Sequence, residues 1–175
     1  MTKNKAIFLD RDGVINKAVV INNKPHSPKY INEIILVPGI EKLLKYLSKR
    51  YLLIGITNQP EIARGTISLE EVDTINNYLK SRVFITKFYV CPHDNNDHCS
   101  CRKPKSGLLL QASKEYNIDL SNSYFIGDRW SDMEAGRNVG CTTIWLNHKY
   151  DERKPNLEHV DYIVYTLDDI YKIIL

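Results

Sequence analysis

The chain has 175 residues, 43% hydrophobic and 26% charged, with a formal net charge of +3 at pH 7. That length suits one domain, residues 1–175, able to bury roughly 70% of its unfolded surface. The mild positive charge suits an anionic substrate, but without a Lys/Arg-dense block it falls short of a nucleic-acid-binding signature, and no apolar run approaches the ~20 residues of a membrane span. The opening "MTKNKAIFLDRDG" lacks an apolar signal core, so a cytoplasmic location is expected, with no membrane partner.

Residues 5–10, "KAIFLD", are nearly continuous in apolar residues, as a strand buried on both faces should be. This strand ends in Asp10-Arg11-Asp12-Gly13. Two carboxylates two residues apart on extended backbone can point the same way, and they repel unless a cation lies between them. Magnesium, which prefers oxygen ligands and works with one or two carboxylates plus phosphate oxygens, is the expected ion. Ile40, Leu43, Leu44 and Leu47 then share one face of a helix over residues 39–50. A second apolar strand over 51–57 ends in Thr57-Asn58, whose hydroxyl, amide and backbone N–H groups can all donate to an anionic oxygen. Ser68 and Glu71 form a capping box that starts a helix over 68–82.

The third strand, residues 87–91, runs into "CPHDNNDHCSCRKPKSG". In a reducing compartment Cys91, His93, Cys99 and Cys101 make better sense as a metal set than as disulfides, with Cys141 a small core residue. A helix over 105–116, a strand over 124–128 ending in Asp128, a helix over 131–140, a strand over 142–146, a shorter strand over 162–165 and a helix over 166–175 complete the chain. Asp128 is the better candidate metal ligand, whereas Asp132 suits a helix N-terminus. Such alternation argues for an α/β fold: a Rossmann-like, doubly wound, mostly parallel sheet with helices on both faces. Sheets of this kind bind ligands beyond the carboxyl ends of their strands, where Asp10, Thr57, Cys91 and Asp128 all fall.

"FLDRDGVIN", "GITNQ", the lysine of "CRKP" and "IGDRWSDMEAG", in that order, resemble the four motifs of the haloacid dehalogenase superfamily of aspartate-nucleophile phosphatases. The Cys-x-His…Cys-x-Cys insert narrows the resemblance to the zinc-containing branch, which holds heptose bisphosphate and histidinol-phosphate phosphatases. "TNQPEIARG" is more similar to the heptose group. The resemblance implies that Asp10 is the nucleophile and Asp12 the acid/base. It further implies Mg²⁺ on Asp10, the Asp12 carbonyl and Asp128, with Thr57 and Lys103 contacting phosphoryl oxygens. Arg102 would meet the substrate's second phosphate, with Asn58 and Arg129 as further substrate contacts.

The set Cys91, His93, Cys99 and Cys101 fits a closed structural zinc that pins a zinc-binding loop at 91–101, and the resemblance favours His93 over His98 as the nitrogen donor. Three departures from the family pattern bear on which ester fits. Glu61 stands where the family has Gly, Thr66 follows Ala-Arg-Gly, and residues 17–34 lack a His/Asp-Gly-Tyr pattern. No large cap domain is expected, any cap being only loops, and the protein is expected to act as a monomer on a small sugar phosphate. The competing readings are another small-ester phosphatase, a polynucleotide 3′-phosphatase and a zinc-stabilised module without activity.

Overall fold

The computed structural model describes residues 3–174. Six parallel strands form one sheet: β1 (Ala6–Leu9), β4 (Leu52–Asn58), β5 (Lys87–Cys91), β6 (Tyr124–Gly127), β7 (Thr142–Leu146) and β8 (Tyr162–Val164), in the order β5-β4-β1-β6-β7-β8. All six match the runs expected from the sequence. Central β1 pairs with β4 (Leu9 opposite Gly55) and with β6 (Leu9 opposite Ile126). Strand order reverses beside β1, which opens a crevice at its carboxyl end.

Alternate residues along the strands serve two cores, because successive side chains point to opposite faces. On one face Ile7, Leu9, Leu53, Ile126 and Ile144 pack against α1 (Ile40–Leu47), α2 (Leu69–Arg82) and α5 (Leu167–Ile173). On the other, Ala6, Phe8, Ile54, Ile56 and Phe125 meet α3 (Gly107–Tyr116) and α4 (Trp130–Asn138). Phe8 and Phe125 touch edge to face, with centroids 6.3 Å apart. Among the described residues no helix is long and apolar enough to cross a membrane.

The expectation that only loops cover the site needs correcting. Residues 17–34 contain a two-stranded antiparallel hairpin, β2 (Val19–Ile21) and β3 (Lys24–His26). Its turn residues Asn22 and Asn23 have φ of 49° and 58°. Positive φ at both central positions is the demand of a type I′ hairpin turn, and asparagine tolerates it. Asn-Asn between β-branched residues and a short basic run was the sequence signal for it.

The capping box at the start of α2 is formed: Glu71 N–H donates to Ser68 Oγ at 3.1 Å, and Ser68 N–H donates to Glu71 Oε2 at 2.7 Å. Ser68→Ala removes one of these bonds and should lower stability by about 1 kcal/mol, or roughly 2–4 °C in Tm. A thermal melt reads this directly, and an unchanged Tm would mean that water caps the helix as well as serine does.

Candidate active site

Asp10 follows β1 so closely that its N–H still donates to Ile126 O in the sheet, at 3.0 Å. Its buried carboxylate meets Lys103, whose Nζ lies 2.7 Å from Asp10 Oδ1, 2.6 Å from Asp132 Oδ1 and 3.0 Å from Ile56 O. Asp128 follows β6, and carboxylate oxygens of Asp10, Asp128 and Asp132 lie within 4.8 Å of one another. Three acids therefore share one ammonium. Burial, opposed by Lys103 and reinforced by Asp132 and Asp12, pushes Asp10 up to about 6. Burial first, then the charges of Asp10 and Asp132, holds Asp128 well above the usual carboxylate range. The charges of Asp10 and Asp132 outweigh the burial of Lys103 and raise it further, so it stays an ammonium.

Both carboxylate oxygens of Asp128 are buried without a hydrogen-bond partner among the described residues. A carboxylate stripped of water and given no donor is costly unless a cation meets it. The buried oxygens of this cluster thus fit a hard divalent ion such as Mg²⁺, which takes oxygen ligands. Asp132 belongs to that cluster as well as to the helix terminus: its Oδ2 accepts from Arg129 N–H at 3.0 Å in the first turn of α4. Reading it as a helix-end acid alone missed its ion pair with Lys103, because a residue 29 positions from its partner shows no local sign of the contact.

The Asp12 carboxylate lies outside the three-acid cluster and is held by a set of donors. Oδ1 accepts from Arg11 Nε (3.0 Å) and Asn16 Nδ2 (2.9 Å), while Oδ2 accepts from Arg11 Nη2 (3.0 Å), Ser27 Oγ (2.7 Å) and Gln59 Nε2 (2.9 Å). Burial alone would raise Asp12, but the Arg11 charge and these donors hold it below the usual range. Arg11 is 0% exposed and also reaches Asn76 of α2 at 3.1 Å. Sequence reading passed over Arg11, Asn16, Ser27 and Gln59; a fully buried arginine beside an acid is invisible until the fold places it.

Thr57 Oγ accepts from Gln59 Nε2 at 2.8 Å, so Gln59 bridges Thr57 and Asp12. Asn58 grips the Lys103 backbone from both ends: its Nδ2 donates to Lys103 O and its Oδ1 accepts from Lys103 N–H, each at 3.1 Å. That arrangement makes Asn58 a brace for Lys103. Arg129 forms a forked ion pair with Glu152, its Nε donating to both carboxylate oxygens at 3.0 and 3.1 Å. Arg102 donates to Asn95 Oδ1 at 2.8 Å and to His93 O at 3.2 Å. All of these except Gln59, His93 and Glu152 line one open cavity of about 600 Å³, with the hairpin β2–β3 along its outer side.

The Cys91, His93, Cys99 and Cys101 donor atoms also lie within 4.8 Å of one another, while His98 is exposed and outside the set. Sulfur–sulfur distances are 3.7 Å (Cys91–Cys99) and 3.0 Å (Cys91–Cys101), too long for disulfides at about 2.05 Å. A tetrahedral zinc with bonds of about 2.3 Å sets its sulfurs roughly 3.7 Å apart, the separation of Cys91 and Cys99, and three thiols with one ring nitrogen are a donor set that suits that ion. Cys141 is buried in the core.

Buried carboxylates around one lysine, at the carboxyl edge of a sheet wound in this order, are the arrangement of a haloacid dehalogenase-type hydrolase, and the HAD-hydrolase-like family model matches residues 100–170. Two relatives extend the match over most of the chain. The D-glycero-alpha-D-manno-heptose-1,7-bisphosphate 7-phosphatase of Campylobacter jejuni is 43% identical, covering 82% of this chain and 83% of that protein. The D-glycero-beta-D-manno-heptose-1,7-bisphosphate 7-phosphatase of Helicobacter pylori strain 26695 is 42% identical, covering 79% and 81%. The chain belongs to this heptose-bisphosphate phosphatase family. Its fold matches the crystal structure of the D,D-heptose 1,7-bisphosphate phosphatase from B. bronchiseptica complexed with magnesium and phosphate, with a TM-score of 0.76, 23% identity and 97% of each chain covered.

Gly13 is the tightest point of the site. It has φ of 102°, and a Cβ there would lie 1.9 Å from Asp128 Oδ2. Gly13→Ala should therefore displace Asp128 and strain the turn, costing about 2 kcal/mol or more, roughly 4–8 °C in Tm. Differential scanning calorimetry of the two proteins checks this; matching Tm values would show that Asp128 is able to swing aside without cost.

Proposed function

We propose that this chain is a Mg²⁺-dependent phosphatase that removes the 7-phosphate of D-glycero-D-manno-heptose 1,7-bisphosphate through an aspartyl-phosphate on Asp10. The observation that carries the reading is the buried Asp10 carboxylate, held by Lys103 beside Asp128 and Asp132 at the foot of the cavity. The substrate comes from the relatives named for it, at 42–43% identity over about four fifths of the chain. The reading takes residues 1–175 as a single domain with a zinc-binding loop at 91–101, acting as a cytoplasmic monomer.

Asp10 attacks phosphorus and the C7 oxygen of the sugar leaves. Asp12 gives that oxygen a proton, then takes one from the water that hydrolyses the aspartyl-phosphate. The donors now around Asp12 suit the second half, since they favour its carboxylate; the first half requires Asp12 to leave Arg11 and carry a proton. Thr57 and Lys103 contact the equatorial oxygens, where the transferred group carries most of its charge. Mg²⁺, held by Asp10, Asp128 and the Asp12 carbonyl, supplies positive charge against that group when bound. Arg102 offers a planar fork to the second phosphate, Arg129 lies at the cavity wall, and Asn58 acts on substrate through Lys103.

Phosphate release is to be measured with Mg²⁺ on both heptose 1,7-bisphosphate anomers and on histidinol phosphate. One heptose anomer should turn over fastest, and Asp10→Asn should lower its rate at least about 10³-fold. Feeble, equal release from every ester would sink the heptose assignment.

Zinc is proposed as a structural ion on Cys91, His93, Cys99 and Cys101, ordering a loop whose "DNNDH" stretch has no apolar residue to pack. Chelation should release about one zinc per chain, lower the Tm by several degrees and cut kcat, because Arg102 and Lys103 follow the loop directly. Metal analysis that finds no zinc in freshly purified protein would refute the assignment.

A further inference from the structure

The outer wall of the cavity carries an ion-pair chain that the chemistry above does not use. Glu61, which stands just after β4 and lines the cavity, has Oε1 2.7 Å from Arg64 Nη1 and Oε2 3.6 Å from Lys29 Nζ. Arg64 in turn holds Asp94 in a fork, with Nε 2.6 Å from Oδ2 and Nη2 3.0 Å from Oδ1. Thr66 Oγ donates to Glu61 Oε2, so the carboxylate is aimed, not dangling. Three segments meet in this chain: the one after the hairpin (Lys29), the one after β4 (Glu61, Arg64) and the metal-binding loop (Asp94).

The consequence is a charge count at the mouth. Among the described residues five cations line the cavity: Lys29, Arg64, Arg102, Lys103 and Arg129. Lys103 is engaged by Asp10 and Asp132, Arg129 by Glu152, and Lys29 and Arg64 by Glu61. Arg102 has only neutral acceptors, Asn95 Oδ1 and His93 O, with no carboxylate within 4 Å among the described residues. A carboxylate at the mouth of an anion-binding cavity repels a phosphate unless cations screen it, and Glu61 also uses up the cations nearest to it.

We propose that Glu61 is a specificity-determining residue: by occupying Lys29 and Arg64 it leaves Arg102 as the one cation of the outer cavity, among the described residues, without a carboxylate within 4 Å, so that the site accepts one anionic group beyond the transferred phosphoryl and turns a neutral body toward the hairpin. This rests on the phosphatase reading above and deepens it. Removing the Glu61 charge leaves Lys29 without a carboxylate partner, and the more positive outer cavity then holds the group beyond the transferred phosphoryl more strongly. A Lys29→Met change made in addition takes that gain away again.

The test compares wild type, Glu61→Gln, and Glu61→Gln with Lys29→Met, using the full chain with Mg²⁺ at low ionic strength. KM and kcat are measured for heptose 1,7-bisphosphate and heptose 7-phosphate. Independently of heptose, inhibition constants of fructose 1,6-bisphosphate and fructose 6-phosphate are measured against p-nitrophenyl phosphate hydrolysis. Glu61→Gln should lower KM and the inhibition constant about threefold to fivefold for the two-phosphate compounds, with less than half that change for their one-phosphate counterparts. The kcat should be unchanged, the effect should fade at 0.5 M salt, and the double variant should return to wild-type values. Equal shifts for one- and two-phosphate compounds, no shift, or a gain that persists in the double variant would overturn the proposal. If wild type ignores the heptose esters, the substrate assignment falls while the fructose pair still decides the role of Glu61.

Discussion

The site depends on one buried ammonium. Lys103 sits with a side chain 3% exposed, between Asp10 and Asp132, and takes its third contact from the Ile56 carbonyl of the neighbouring strand. Loss of one partner from a buried ion pair costs roughly 3–5 kcal/mol, because the other charge is left uncompensated. One cation among three acids cannot neutralise them, however, and the deficit falls on Asp128, whose carboxylate oxygens have no hydrogen-bond partner among the described residues. A bound divalent cation would offset this imbalance.

Holding Lys103 in place explains several features that lie far apart in the chain. Asn58 clamps its backbone from the end of β4. The Cys/His loop ends at Cys101, directly before Arg102, so a metal there would anchor the polypeptide next to Arg102 and Lys103. Gly127 allows the same economy of space on the other side: a Cβ there would lie 2.2 Å from Asp132 Cβ. Asp12 is held by a separate network through Arg11, Ser27 and Gln59. Asp10 and Asp12 therefore rest on separate partners, although they are two residues apart and the Asp12 charge raises Asp10.

The hairpin β2–β3 ties the outer cavity to this machinery. Ser27, just past β3, donates to Asp12, and the Asn23 carbonyl at its turn accepts from Asp151 N–H at 2.9 Å. A small structured flap thus takes the place of a cap domain. It leaves an open mouth with Glu61, Arg64 and Lys29 at its edge.

Most of the fold was legible because the core strands are apolar on both faces and the helices carry one apolar face each; Ala6–Leu9 and the Ile40–Leu47 stripe state their environment locally. The strand-end acids and the clustered cysteines were legible for a related reason, since both are short-range patterns of one chemical type. The hairpin was not, since its exposed residues leave little periodic signal and its turn rests on two asparagines. Arg11, Gln59 and Asn58 were not read in their present roles because polar side chains choose partners by direction and distance across 45 or more residues. Sequence alone determined which groups could do chemistry and at which strand ends they stand. Tertiary structure alone decided how their charges are shared, because ion pairing and desolvation depend on burial and on separations of a few ångströms, which only the closed fold sets.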